Sequence, residues 1–337
     1  MALFVGDPSA PTRFGTDVAD TSDATGLFLK IFGGEVFAAF SEKVHTMDKH
    51  IVKDISSGKS AQFPKTWKVD AAYHSAGVEM LGQDTDETER VISIDGLLVS
   101  HIGIYDLDEA MSHFQVRSTY VQELGKALGR VFDTNVYRTV VSTAKQSTAM
   151  SGANSTSPFP DGIRLLSADV SGTITATAGA QWWEVMRGMQ VDADGRDYDG
   201  EMYLAVPPAT YDATAYSQAA DTAANPFLFA NRDLAGFGGQ GAEKNSLSLR
   251  NVTMYMSNLL PQSNDSANGD IKAKYRADYS TVLGVGWGRE AVGTVKLIGM
   301  GLEQTRDVRR QEDFIVAKMA VGHGPVRNEI AWEIANT

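Results

Sequence analysis

The stretch that decides the fold is "VISIDGLLVSHIGIY" (Val91–Tyr105), followed by "DLDEAMSHFQVRSTYVQELGKALGRVFDTNVYRTVVSTAK" (Asp106–Lys145). The first part is rich in β-branched residues with local alternation and predicts a strand. In the second, Asp106 or Asp108 can cap a short first turn. Beyond it Val116, Tyr120, Leu124, Leu128, Val131, Val136 and Val140 recur three to five positions apart, which places them on one face of a helix. About 30 residues at 1.5 Å each make a rod roughly 45 Å long, where globular helices usually run ~11–12 residues. A rod with a single apolar face is a scaffold element. Gly125 and Gly129 stand four apart on it and predict the close approach of another backbone.

Working outward, residues 51–94 divide into two arms of opposite charge. The first carries Lys53, Lys59, Lys65 and Lys68 against Asp54; the second carries Glu79, Asp84, Asp86, Glu87 and Glu89 against Arg90. Upstream, "LFLKIFGGEVFAAF" (Leu27–Phe40) is apolar around most of a helix and is interrupted by Gly33-Gly34. Two glycines cost a helix about 2 kcal/mol relative to alanine, so a docked segment with a hinge is expected. Residues 1–25, rich in Asp, Thr, Ser, Pro and Ala, predict an extended arm. Downstream, "SGANSTSPFPDG" (Ser151–Gly162) is a break. A mixed region follows, with strand signal at Asp169–Ala178, a short helix at Trp182–Met189, and strands at Glu201–Val206, Asn251–Ser257 and Thr281–Val285. The last fifty residues predict long strands around a turn at Gly322–Pro325.

The chain has 337 residues, 43% hydrophobic and 21% charged, which suggests about two domains. It has no cysteine, so disulfides and thiolate metal sites are excluded. A net charge of −12 disfavours gripping nucleic acid through its phosphates. No stretch approaches the ~20 apolar residues of a membrane span, and "MALFVGDPSAPTRFG" lacks the pattern of a signal peptide.

The chemical motifs fail on inspection. Gly58-Lys59-Ser60 ends like a phosphate-binding loop, but position 53, where the first glycine is needed, is Lys53, and Phe63-Pro64 follows instead of a helix. Gly236, Gly238 and Gly241 match a dinucleotide fingerprint without its strand or helix. "DADGRDYDGE" (Asp192–Glu201) misses a calcium loop in both registers, with Arg196 or Gly195 on a ligand position. None of the six histidines pairs four apart. No catalytic, cofactor-binding or metal site is expected, and the chain does not read as an enzyme.

Four separated blocks in order, "LFLKIFGGEVFAAF", "ISSGKSAQFP", "VISIDGLLVSHIGIYDLDEAMSHFQVRSTYVQELGKALG" and "AVGTVKLIGMGLEQTRDVRRQEDFIVAKMAVGHG", resemble the major capsid proteins of T-seven-like short-tailed bacteriophages. The likeness covers residues 27–145 and 290–325 well and most of 150–280 weakly. Asn328-Glu329 stands where the family pattern has Pro-Glu, a change expected to alter a local turn and little else. The resemblance implies the α+β class and the Hong-Kong-97-like coat fold: an N-terminal arm (1–50), an extended hairpin or E-loop (51–94), a peripheral domain (95–149 and 288–337) with a spine helix at about 116–145, and an axial domain (150–287). It further implies hexamers and pentamers in an icosahedral T=7 head around double-stranded DNA. Assembly would take place in the host cytoplasm with scaffolding protein, portal and a possible cement protein. An encapsulin-like compartment, or a nucleotide-binding enzyme, are the alternatives. The paired charge of the hairpin arms suits a head-to-tail contact between neighbours. The candidate contact residues are Lys53, Lys59, Gln62, Phe63, Lys65, Trp67, Glu79, Asp84, Asp86 and Glu87. Mutual neutralisation within the hairpin is the competing reading.

Overall fold

A computed structural model describes residues 45–66, 71, 73–80, 87–111, 117–146, 162–165, 174–175, 179–220 and 246–336. The N-terminal arm, the Gly33-Gly34 segment, the break after Lys145 and the Gly236–Gly241 motif therefore lie outside the described residues. In chain order the elements are β1 (Ile51–Asp54), β2 (Ser60–Thr66), β3 (Glu87–Ser93), β4 (Leu97–Tyr105), α1 (Asp106–Met111) and α2 (Arg117–Ala144). Next come β5 (Ile163–Leu165), α3 (Gly179–Gly195), β6 (Met202–Val206), α4 (Pro208–Ala220), β7 (Ser246–Leu249) and β8 (Val252–Met256). The chain ends with β9 (Val282–Gly288), β10 (Val292–Asp307), β11 (Glu312–Pro325) and β12 (Ala331–Ala335).

Three sheets result. A four-stranded sheet has the order β1-β10-β11-β4, a six-stranded sheet the order β5-β12-β9-β6-β8-β7, and β2-β3 stand as a separate ribbon. In β6 and β12 every residue is buried, as in strands covered on both faces; β6 is apolar throughout, while β12 carries Glu333, paired with Lys145 at 3.2 Å. Trp182 of α3, Trp287 of β9 and Trp332 of β12 are fully buried in one core that also takes in α2 and parts of both larger sheets.

The helix α2 is where the periodicity places it, but its burial differs. Leu124, Leu128, Val136 and Val140 are buried as expected, while Val131 is 41% exposed. Phe132, Asp133, Tyr137, Val141 and Thr143 are buried too, so the C-terminal half is enclosed around most of its circumference and has no single apolar face. Thr139 and Thr143 fold their hydroxyls back onto the carbonyls four residues earlier, both at 2.7 Å, which lets polar residues sit inside. At Gly125 the neighbour is the Met300 side chain at ordinary contact distance, and no second backbone approaches there.

The C-terminal strands reverse at a different place from the one the glycines suggested. The turn between β10 and β11 is Val308–Gln311, made by Gln311 in the left-handed region (φ 54°) and by the Asp307 carboxylate accepting the Arg309 N–H at 2.9 Å. Gly322 and Gly324 lie inside β11. A Cβ on Gly322 would come 2.1 Å from the Ser93 carbonyl, and one on Gly324 would come 2.9 Å from Ile92. Those glycines make room for the base of the β2-β3 ribbon. The short helix at Trp182 runs on through Gly195, taking Asp192 and Asp194 into its last turn. The helix α4 stands where loop was expected. Pro208 opens it without loss, because a first-turn N–H has no partner inside the helix.

Candidate functional site

The β2-β3 ribbon is the place the sequence marked for contact between copies. Its strands pair antiparallel from Ser60 opposite Ser93 to Thr66 opposite Glu87. Gly58 enters at φ +104°, a conformation L side chains rarely adopt, so glycine is required for the chain to turn into β2. The Gly-Lys-Ser tripeptide thus leads into a strand, and no helix N-terminus is there to receive a phosphate.

Alternation along β2 is strict. Ala61, Phe63 and Lys65 face inward; Ser60, Gln62, Pro64 and Thr66 face solvent. Ala61 and Phe63 join Ile92, Val295 and Val326 in a small apolar cluster of their own, with Ile51, Ile55 and Ile94 at its edge. The ribbon therefore rests on the body through a patch distinct from the main core. Asp95 N–H to the Val321 carbonyl, at 3.1 Å, ties down its base.

Lys65 is the unexpected member. Its side chain is 1% exposed, and Nζ donates to Glu329 Oε2 at 2.6 Å. Burial pushes the Lys65 amine below its usual range; the hydrogen bond to Glu329 opposes this, while Arg327 and Arg90 add to it. The second oxygen of Glu329 is 3.8 Å from the Arg327 guanidinium, and Arg196 Nη1 donates to the Glu329 carbonyl at 2.8 Å. A cavity of about 210 Å³ lies beside this cluster, lined by Thr66, Arg196, Tyr198, Arg327 and Glu329 among others. Lys65 is thus committed within its own chain, as is Phe63, and neither is offered to a neighbour. Of the Asn328-Glu329 pair only Asn328 departs from the family pattern; the retained Glu is the partner of Lys65. Glu329 is the counterion, and Asn328, 1% exposed, has no hydrogen-bond partner for either amide atom among the described residues.

Among the other candidates, Lys53 lies on β1, with Nζ donating to the Gln62 carbonyl at 3.1 Å and lying 5.5 Å from the centre of the Phe63 ring. Lys59, Gln62, Glu79 and Glu87 are exposed. Trp67, Asp84 and Asp86 lie outside the described residues. The structure therefore leaves an outer ribbon face of Gln62, Glu87, Glu89 and the 57%-exposed Val91, with Lys59 at the base. Arg90 on the acidic arm is partly buried and donates to Gln146 Oε1 at 3.4 Å. The residues that sequence reasoning missed, Glu329 and Arg327, are 264 and 262 positions from Lys65. No local pattern joins them.

Among the described residues no group of three His, Asp or Glu side chains is placed to hold a metal. In the calcium-like stretch, Asp192 Oδ2 accepts the Trp332 indole N–H at 3.4 Å and Asp194 lies 3.9 Å from Arg250, so both carboxylates face partners of the chain itself.

The family described as Gp10A-like, major capsid protein, matches residues 62–335. This chain belongs to the major capsid protein family. It is 32% identical to the major capsid protein of Escherichia phage T7 over 361 aligned positions, covering 99% of each chain. It is also 32% identical to the major capsid protein of Enterobacteria phage T3, covering 93% of this chain and 92% of the relative. The capsid structure of cyanophage P-SCSP1u superposes with a TM-score of 0.71 at 32% identity, covering 97% and 98% of the two chains. The mature capsid of bacteriophage PhiM1 gives 0.69 at 15% identity over 92% of each, a likeness of fold. The α+β architecture is thus that of Hong-Kong-97-like phage capsid proteins, and this major capsid protein is a structural subunit of a viral shell.

Proposed function

We propose that copies of this chain close into hexamers and pentamers that build an icosahedral T=7 head around double-stranded phage DNA. Scaffolding protein and portal would take part in assembly in the host cytoplasm, and a cement protein is a further candidate partner. The observation that carries this reading is the end-to-end match to the phage T7 protein, 99% of both chains at 32% identity. A shell subunit needs no catalysis, and the β2-β3 ribbon presents an exposed face, with Gln62 donating to Glu89 at 3.5 Å on it, to a neighbour. The −12 net charge keeps the shell from trapping the duplex it encloses.

Within this reading the contact charges are Lys59 at the ribbon base and Glu87 and Glu89 on the outer face. Head-to-tail packing brings unlike patches together around a ring, so opposite charges set register more than affinity. Electron microscopy of the full chain expressed with its scaffolding protein tests the assembly. Capsomers and closed shells are expected; a stable monomer with no particles overturns the proposal. Lys59→Glu combined with Glu89→Lys tests the contact. Each single reversal should lower shell yield with folding intact and the double reversal should recover part of it, whereas wild-type yield from each single variant removes the ribbon charges from the interface.

A further inference from the structure

Residues Thr46–His50 run just before β1 and are fastened to three parts of the body. Asp133 of α2 accepts the backbone N–H groups of His45 at 2.8 Å and Thr46 at 3.4 Å, and also the Thr46 hydroxyl. Lys49 holds its ammonium 4.2 Å from the centre of the Tyr255 ring on β8, and its carbonyl accepts the Trp287 indole N–H of β9 at 3.0 Å. His50, 3% exposed, reaches the four-stranded sheet. Its Nδ1 is 2.6 Å from the Thr46 carbonyl and its Nε2 is 2.7 Å from Thr294 Oγ1 of β10. The same hydroxyl oxygen is 2.8 Å from Nδ1 of His323 on β11.

Elementary bonding rules order the protons in this chain. A carbonyl only accepts, so His50 Nδ1 carries the hydrogen and Nε2 offers a lone pair. The Thr294 hydroxyl donates to that lone pair, and its oxygen accepts Nδ1–H of His323. All the donors then point one way. The atom left over is His323 Nε2, buried with no hydrogen-bond partner among the described residues.

We propose that Thr46–His50 is an acid-released strap, in which protonation of His50 and His323 breaks the Thr294 relay and frees the segment from both larger sheets. A proton on His50 turns Nε2 into a donor. Thr294 Oγ1 then meets two N–H donors, and either its own hydrogen turns away from both rings or it donates to His323 Nδ1 and leaves that ring's hydrogen on Nε2, where no described residue accepts it. A second proton, on His323, sets two buried cations on either side of one hydroxyl. The surrounding charges do not rescue this state. Asp48 on the strap favours a charged His50, whereas Lys274, donating to the His323 carbonyl at 2.8 Å, disfavours a charged His323. Lys274 is itself paired with Asp95, which also takes the Tyr275 hydroxyl. Asp133 works in the opposite sense: burial raises its carboxyl, so gaining a proton relieves a buried charge there. Phe132 closes the pocket, edge-on to His323 at 4.7 Å between ring centres.

The direction in pH follows. Burial lowers His50 from 6.5 to about 4 and His323 well below its ordinary value. The closed strap is therefore fully favoured above pH 6.5, and the advantage is lost as pH falls toward the lowered values. At pH 5 the ratio of released to closed strap rises about 30-fold from His50 alone.

Amide hydrogen exchange read by mass spectrometry on the full chain, at pH 7.5 and 5.0 and corrected for intrinsic rates, tests this. Opening of residues 46–50 should rise by about 30-fold or more at the lower pH while the buried strand β6 stays protected. The rise should vanish in the His50→Gln, His323→Gln double variant. No rise in the unaltered chain, or an equal rise in the variant, overturns the proposal. If the variant does not fold, deuteration at the imidazole C2 positions of the unaltered chain decides. A His50 midpoint near 4 that tracks strap opening supports the strap; a midpoint at 6.5 or above refutes it.

Discussion

Replacing one member of the Lys65–Glu329 pair should be costly, and the cost should depend on which member goes. The side chains are 1% and 5% exposed, so solvent screens little and a charge left alone is left in the interior. Breaking such a pair costs about 3–5 kcal/mol. After Lys65→Met, Glu329 keeps Arg327 at 3.8 Å from its other oxygen, which puts this variant near the lower figure, about 3 kcal/mol. After Glu329→Leu, Lys65 loses this ion pair while the charges of Arg327 and Arg90 remain beside it, which puts that variant nearer ~5 kcal/mol. The double variant Lys65→Met, Glu329→Leu leaves no uncompensated charge from the pair and should fall within about 1 kcal/mol of wild type. The assay is denaturant unfolding of the isolated subunit, with protease susceptibility of the β2-β3 ribbon as the local readout. A double variant destabilised by the sum of the singles would refute the reasoning, because the two groups would then be uncoupled.

Phe63→Ala removes the largest side chain of the small cluster under the ribbon and should cost about 3–5 kcal/mol in ribbon docking. Protease cleavage should rise at the ribbon while near-ultraviolet circular dichroism from Trp182, Trp287 and Trp332 is retained. Gly322→Ala should detach the ribbon base, since its Cβ would meet the Ser93 carbonyl at 2.1 Å; Gly301→Ala, with nothing within 4 Å, should change the unfolding midpoint little. Equal effects from the two alanines would contradict the packing described. Asp133→Ala removes the acceptor of the His45 and Thr46 N–H groups and should raise hydrogen exchange at 45–50 at every pH, leaving any histidine-dependent slope in place.

The elements that could be read from the residues were those whose pattern is local. The strand β4 and the helix α2 show their periods over many consecutive positions. The charge-rich turn at Val308–Gln311 was missed because Gln311 adopts a left-handed conformation normally signalled by glycine, while the real glycines nearby serve close packing. The α4 sequence "PATYDATAYSQAA" has small residues in place of an apolar stripe, so no 3.6-residue period marks it. Lysine is rarely buried, so Lys65 stands among the candidate contacts, and only strict alternation with Ala61 and Phe63 hints at its inward direction. Its counterion is a tertiary fact. Val131 failed differently: its spacing fits the stripe, but the burial of α2 follows neighbours that the spacing does not contain.

The contacts at the ribbon base also form a mechanical linkage. Val326 sits under Phe63 and Glu329 grips Lys65, and two residues after Glu329 the chain becomes β12, flanked by β5 and β9 in the six-stranded sheet. A pull on the ribbon by an adjoining molecule therefore bypasses the surface and is delivered through four residues, Val326–Glu329, to an inner strand bearing the buried Trp332.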